Sequence, residues 1–544
     1  MKLTARRLPC LISRIGMIAL AILMCCVMLF LSVSSLLGTA DMNRNNPAQE
    51  KITFESDSLW LNLLFLVVFL ALGAGIMYLF RRLGVYERLS PSLLSFVLAG
   101  WIVVVGSAWV IMSMSAPTHD SLIVTRAGVA AALGDLSYVK TDYFIRFPFQ
   151  LGYVLWTEIW ARLLSLGHDG YLALEFINVV CLAAGEMALV RLTHRLFGRR
   201  SVTFATALAL AFFFQPVIFC TFLYGTIPGF CFAAWSMLLL VRFLQTDRWR
   251  FLVGAGLCLS LAVSLKLNFL ILFVAFAVVL LLHALRGRPI KRLLSLLVLC
   301  AIVLSLKNVA VWQYEQRADI DLGDGIPMVS WLAMGLHDAS AAPGWYSSQY
   351  TVLNFSNAGG DSDKAAEQSM EVVKDRLSYL ADHPREAADF FSKKIRSQWN
   401  EPTYQSIWNN QVRGQYADKT GLAAYVCGKG EYPTKGLMDL GIQGIFCGVL
   451  VAMALLLARL LRKQKEEDVE DSHAPWAAFW LVPLYILGGF LYHALFEAKS
   501  QYVITYVTLM IPYAVFAARE TVCFGAGVAR RLLNGRKEKH VSNA

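Results

Sequence analysis

Four short groups of polar residues stand at the ends of long apolar runs, and each carries side chains suited to a charged or hydroxylated substrate. His119 and Asp120 directly follow one such run. A carboxylate at a membrane–water boundary can take the proton of an acceptor hydroxyl as a general base; the same acid would also cap a helix beginning at 121. Residues 143–150 (YFIRFPFQ) set Arg146 and Gln150 among aromatic rings. That combination suits a lipid phosphate and equally suits interfacial anchoring. Lys266 ends an apolar stretch and is followed two residues later by Asn268. Its ammonium would bind phosphate as a point charge, or snorkel to the interface. The fourth group, LYHALFEAKSQY, crowds His493, Glu497, Lys499, Gln501 and Tyr502 into one short turn. A pair such as Glu497 and Lys499 could serve structure alone, but the density of polar groups favours a site.

These residues need elements to hold them, and the composition names the kind. The chain has 544 residues, 57% of them hydrophobic and only 16% charged. A soluble chain would carry nearer a quarter charged residues. The apolar residues come in runs of about 17–25, the length that crosses roughly 30 Å of hydrocarbon as helix. Backbone groups in lipid must be satisfied within the segment, so such runs are helical. The net charge of +11 sits in short loops at the ends of these runs. It follows the positive-inside pattern that orients helices, so no nucleic-acid partner is implied. Most of the 11 cysteines lie within apolar runs, so neither a disulfide framework nor a CxxC metal spacing arises.

The expected fold class is therefore an all-α polytopic membrane protein of about 12–13 membrane helices with one extracytoplasmic, mainly helical soluble segment. Residues 1–90 hold two helices, near 15–37 and 58–80, joined by an outer loop bearing Asp41, Glu50, Glu55 and Asp57. The first has basic residues before it, as a signal peptide does, but is long enough to be read as a retained helix. Residues 91–311 form a membrane core whose first extracytoplasmic loop, 114–148, includes an interfacial helix near 121–134. In that core the basic turns and the crossings disagree by one, so one stretch must fall short of spanning. The short 149–166 stretch, with Glu158 and Arg162, is the suspect.

Residues 312–435 form the soluble segment. One helix there, about 364–382, should start after the N-cap candidates Asp361, Ser362 and Asp363 and bury Met370, Val373, Leu377 and Leu380. A second should begin at Pro384 and bury Phe391, Ile395 and Trp399. Residues 436–520 return to the membrane, with a charged cytoplasmic turn at 462–474, and 521–544 form a basic cytoplasmic tail. Both termini then lie in the cytoplasm of a multi-pass protein of the cell membrane. On this topology all four polar groups share the outer face.

At these residues, across roughly 90–520, the chain resembles the GT-C superfamily of membrane glycosyltransferases. It is most similar there to bacterial dolichyl-phosphate-mannose- and aminoarabinose-transferase-like proteins of the Gram-positive kind. The resemblance rests on Asp120 behind an outgoing helix, the run YFxRxPxQLG at 143–152 and RLFG at 195–198. It continues with Lys266, with ExxxQY at 497–502, and with IPMVSWLAMGL and GWYSSQY in the soluble segment. It implies a polyprenyl-phosphate sugar donor and transfer outside the membrane, usually with inversion, to a glycan, teichoic acid, lipid or protein acceptor. It implies that Asp120 is the base, that Lys266 and Arg146 face the donor phosphate, and that Glu497 and Gln501 line the pocket. Many relatives have Arg where Gln501 stands, and many carry a paired acid whose counterpart here would be Asp142 or Glu158. A lipid-phosphate leaving group is weakly charged enough for fixed Lys and Arg to stabilise, so no obligatory metal or cofactor is implied. No Walker-type loop or Rossmann glycine fingerprint occurs, which argues against a nucleotide-sugar or ATP-driven mechanism.

Two other classes fit the composition. A lipid-linked saccharide transporter would spread its polar residues through the bilayer midplane. A non-catalytic envelope-assembly protein would not need Asp120.

Overall fold

A computed structural model describes residues 2–42, 49–167, 170–286, 289–412, 414–462 and 476–541. Most of the charged turn at 462–474 falls outside them. Among the described residues, ten helices are long and apolar enough to cross a membrane. They are Ser13–Leu37, Leu59–Arg82, Pro91–Ser113, Tyr171–Phe197, Thr226–Thr246, Leu267–Ala284, Lys291–Ala318, Glu431–Leu461, Ala477–Leu495 and Ile504–Gly527. A pair bent by 44°, Arg200–Phe212 with Gln215–Thr221, is either a broken eleventh span or a re-entrant loop. Its break precedes Pro216, which lacks the N–H needed to continue the helix. The helix Trp249–Leu265, 17 residues long, is apolar but shorter than these spans.

Local sequence explains where several helices begin. Pro91 occupies a first helical position, where a missing N–H is harmless, and Ser90 caps it by accepting from Leu93 N at 3.1 Å. The suspect stretch is the helix Leu151–Leu163, 13 residues long. At 1.5 Å per residue it extends about 20 Å, too short to cross. Its polar side is used internally. Glu158 accepts from both guanidinium nitrogens of Arg317 at 2.8 and 2.9 Å, from Arg162 at 3.0 Å and from Tyr314.

The helical segment after Ala318 begins later than expected, because the helix ending there carries on past the apolar run. It ends at Glu431, five residues before the expected 436. Its helix Ser362–Asp382 is capped by Asp361, which accepts from the N–H groups of Asp363 and Lys364. Val373 and Leu380 are buried there, but Met370 and Leu377 are exposed, so the apolar face is narrower than the periodicity suggests. The helix Pro384–Trp399 buries Trp399 and Phe390, while Phe391 and Ile395 are half-buried.

One element has no counterpart in the sequence reading. Gly38–Met42 and Ile52–Ser56, taken there as an exterior loop, pair as an antiparallel hairpin with Met42 opposite Ile52. Its edges bond to the helical segment, Ala40 N to Asn400 O at 3.1 Å and Ile52 N to Ala341 O at 3.0 Å. Ala40, Met42 and Ile52 pack with Ala341, Ala342, Trp345 and Ala498. The helical segment also meets several span ends: Ser115 and Thr221 bond Asn410, and Gln215 bonds Pro402 O. It therefore covers one end of the bundle, where those span ends gather.

Candidate active site

Asp120 lies inside the first turn of the helix His119–Ala132, whose N-cap is Thr118. It is therefore not the cap of a helix starting at 121. The residue before it, His119, is held at φ 50, a left-handed conformation that a non-glycine residue adopts at a cost. The Asp120 side chain is open to solvent but ringed by protein. Desolvation therefore raises its carboxyl above the usual range, while Lys499 and His119 pull it down and Glu50 pushes it up.

The turn after Leu495 lies against it. Lys499 forms an ion pair with Glu50 at 2.7 Å, so its ammonium is kept above the ordinary lysine range against desolvation by Glu50, Glu497 and Asp120. Glu497 accepts from the Tyr502 hydroxyl at 2.8 Å, and its backbone carbonyl accepts from His493 at 2.8 Å. Burial raises the Glu497 carboxyl, although Lys499, Tyr502 and Lys266 oppose the shift. The His493 ring stacks on that of Tyr502, centroids 5.5 Å apart. Gln501 is buried in the 3-10 turn Ser500–Tyr502.

Lys266 sits where the helix Trp249–Leu265 turns back into Leu267–Ala284. Rather than snorkelling outward, its ammonium donates to the Thr226 hydroxyl at 2.9 Å and lies over the rings of Tyr224 (5.0 Å) and Tyr502 (4.9 Å). Its bonded partner is a hydroxyl, not a carboxylate. Burial therefore lowers its pKa to about 7, with Glu497 opposing and Lys499 reinforcing the shift. Gln150 donates to the Tyr224 hydroxyl, and Tyr143 stands beside Tyr224 and Asp120.

Two glycines permit this convergence. A Cβ on Gly225 would stand 1.8 Å from the Leu265 carbonyl oxygen, and a Cβ on Gly152 equally close to that of Ser264. Only glycine lets the turns bearing Tyr224, Thr226 and Gln150 rest on the backbone just before Lys266. A buried lysine secures the opposite wall. Lys394, on the helix Pro384–Trp399, donates to the carbonyls of Gly335, Ala494 and Phe496 and so ties the helical segment to the Glu497 turn.

The fold thus brings Asp120, Gln150, Lys266, Glu497, Lys499 and Tyr502 together at one site. Arg146 instead forms its ion pair with the exposed Asp142, at 3.2 Å. Glu158 is taken up by Arg317, Tyr314 and Arg162. The acids nearest the Asp120–Lys499 group are Glu50 and Glu497. Sequence reasoning missed Glu50, Tyr224, Thr226 and Tyr143 as members of the site. Their signal was an acid, or a YGT turn, at the same end of the bundle as Asp120. It also missed Glu175, Asn178 and Glu186, buried on one face of Tyr171–Phe197 inside the bundle. Polar residues are therefore not confined to one end.

Residues 159–312 match the family model for dolichyl-phosphate-mannose-protein mannosyltransferase. The chain is also similar to a solved archaeal oligosaccharyltransferase, AglB from Archaeoglobus fulgidus, in complex with an inhibitory peptide and a dolichol-phosphate. That similarity has 12% identity and a TM-score of 0.35, over 80% of this chain and 51% of that one. The chain thus spans about half the length of that protein. No curated protein matches the chain. The family match bears out the resemblance to the GT-C superfamily read from the sequence.

Proposed function

We propose that this polytopic membrane protein of the GT-C type moves a sugar from a polyprenyl-phosphate donor to a hydroxyl of a cell-envelope acceptor, outside the cytoplasm and with inversion. The acceptor is a glycan, teichoic acid, lipid or protein. The observation that carries this reading is the placement of the Asp120 carboxylate and the ring-flanked Lys266 ammonium within reach of the same Lys499, where span ends gather.

In the proposed step the acceptor oxygen attacks the anomeric carbon as the bond to the phosphate oxygen breaks. Asp120 takes the acceptor's proton, which its raised pKa favours. The polyprenyl phosphate leaves with the electron pair of the broken bond, and Lys266 stabilises the charge that develops on it. Lys499 holds positive charge beside Asp120, and Gln150 and Tyr502 set the side chains flanking Lys266. On this reading Arg146 serves the rim of the site, and both chain termini lie in the cytoplasm.

The test uses vesicles containing the full chain, a radiolabelled polyprenyl-phosphate sugar and candidate acceptors. Label appearing on an acceptor supports the reading. Label that crosses the bilayer without leaving its lipid supports transport instead. That second reading is favoured by Glu186, fully buried within Tyr171–Phe197 with neither carboxylate oxygen hydrogen-bonded. Cysteine labelling of positions 120 and 350 from outside intact cells checks the face. Protection of both positions would reverse the topology.

A further inference from the structure

The Glu50 carboxylate comes from the N-terminal hairpin, which lies outside the region of family resemblance. Its Oε1 is 2.7 Å from Lys499 Nζ and accepts from Gln405 Nε2 at 2.8 Å. The hairpin is built into the wall of the site. Ile52 bonds Ala341 O, and Ala498, between Glu497 and Lys499, packs with Met42 and Ile52 and bonds Gly344 O at 2.8 Å. A second link joins the hairpin's Asp41 to Lys435, which also pairs with Glu431, both at 2.6 Å. Side chains from far apart in the chain therefore meet around one ammonium.

We infer that Glu50 is a positioning residue: it holds the Lys499 ammonium at a fixed place beside Asp120, so the N-terminal hairpin completes the reaction centre. This rests on the transfer reading given above. Lys499 faces Glu50 from the hairpin, Asp120 from the helix behind it, Glu497 within its own turn, Lys266 across the site and the Tyr346 hydroxyl from the helical segment. Glu50 fixes which of these the ammonium meets. Without it the ammonium keeps only looser contacts with Glu497 and Asp120, and Asp120 loses the neighbouring carboxylate that helps to keep it basic.

The test compares the wild type with Glu50→Gln and Glu50→Asp in the full chain. Trace acetylation at pH 9, read by mass spectrometry, reports the neutral fraction of Lys499, with exposed Lys393 as the internal standard. Loss of a paired carboxylate lowers a lysine pKa by about one unit or more, so Glu50→Gln should acetylate Lys499 roughly tenfold faster, and Glu50→Asp less so. Transfer measured in parallel should show kcat down by about tenfold or more with donor KM little changed. The acid limb of the pH–rate profile should move to lower pH, and Glu50→Asp should recover most of the rate. An unchanged Lys499 acetylation rate overturns the proposal. Faster acetylation with wild-type kcat also overturns it, and leaves the transfer reading intact. No transfer by the wild type, with Lys499 acetylation still dependent on Glu50, sinks the transfer reading but leaves the hold of Glu50 on Lys499.

Discussion

Lys266 donates to the hydroxyl of Thr226 across 2.9 Å, a bond that joins the turn between two membrane helices to the first residue of a third. No carboxylate is the bonded partner, and burial holds the ammonium near pKa 7. Near neutral pH the empty site is therefore divided between ammonium and amine. A bound phosphodiester favours the ammonium. Affinity for a non-transferable donor analogue should be full below pH 7 and fall as pH rises above it, by up to about tenfold per unit. A phosphodiester stays singly charged over this range, so the slope reports on the protein. Lys266→Met should bind weakly and show no slope between pH 6 and 8.5; a slope that survives would place the titrating group elsewhere.

Gly225 touches the backbone it packs on. Adding one methyl group puts a Cβ 1.8 Å from the Leu265 carbonyl oxygen, so the turn carrying Tyr224 and Thr226 must move by more than an ångström. Displacements of that size cost about a hundredfold in rate when they disturb a positioned group. Gly225→Ala should lose transfer by roughly that factor. Gly436→Ala, where nothing lies within 4 Å, should leave it unchanged. Equal rates for the two variants would remove the turn from the account.

Glu158 separates structure from chemistry. Its carboxylate is buried against Arg317, Tyr314 and Arg162, away from Asp120 and Lys266. Breaking a buried pair costs up to about 3–5 kcal/mol, less here because Arg317 is partly open to water. Glu158→Gln should lower the unfolding temperature in detergent while transfer per folded molecule stays near the wild-type value. A large loss of turnover at unchanged stability would restore Glu158 as a candidate second acid.

Much of this fold is legible from period and length alone. Runs near twenty apolar residues became spans, Asp361 became a cap, and Pro384 opened a helix. The charge count singled out 149–166, and the helix there is too short to cross. Asp120, Lys266 and Glu497 were visible because ionisable groups stand out at the ends of apolar runs. The hairpin was not, because its strands are five residues each and outer partners such as Asn400 and Ala341 lie hundreds of positions away. Glu50 is one of several acids in an exterior loop until the fold sets it on Lys499. Met370 and Leu377 share the helical period with Val373 and Leu380, but the neighbouring helices reach only the latter pair. Glu158 shows the same limit, since only tertiary contact with Arg317 reveals how it is used.

In the proposed transfer Asp120 takes the proton of the acceptor hydroxyl. Its most direct test is the single-turnover rate of sugar transfer by Asp120→Asn in vesicles, with donor binding measured on the same preparation. Asparagine keeps the shape and removes the basicity. Donor binding should stay within a few-fold of wild type, with the rate lowered by about 10²–10⁴. An Asp120→Asn variant that binds donor and transfers sugar at the wild-type rate would contradict it.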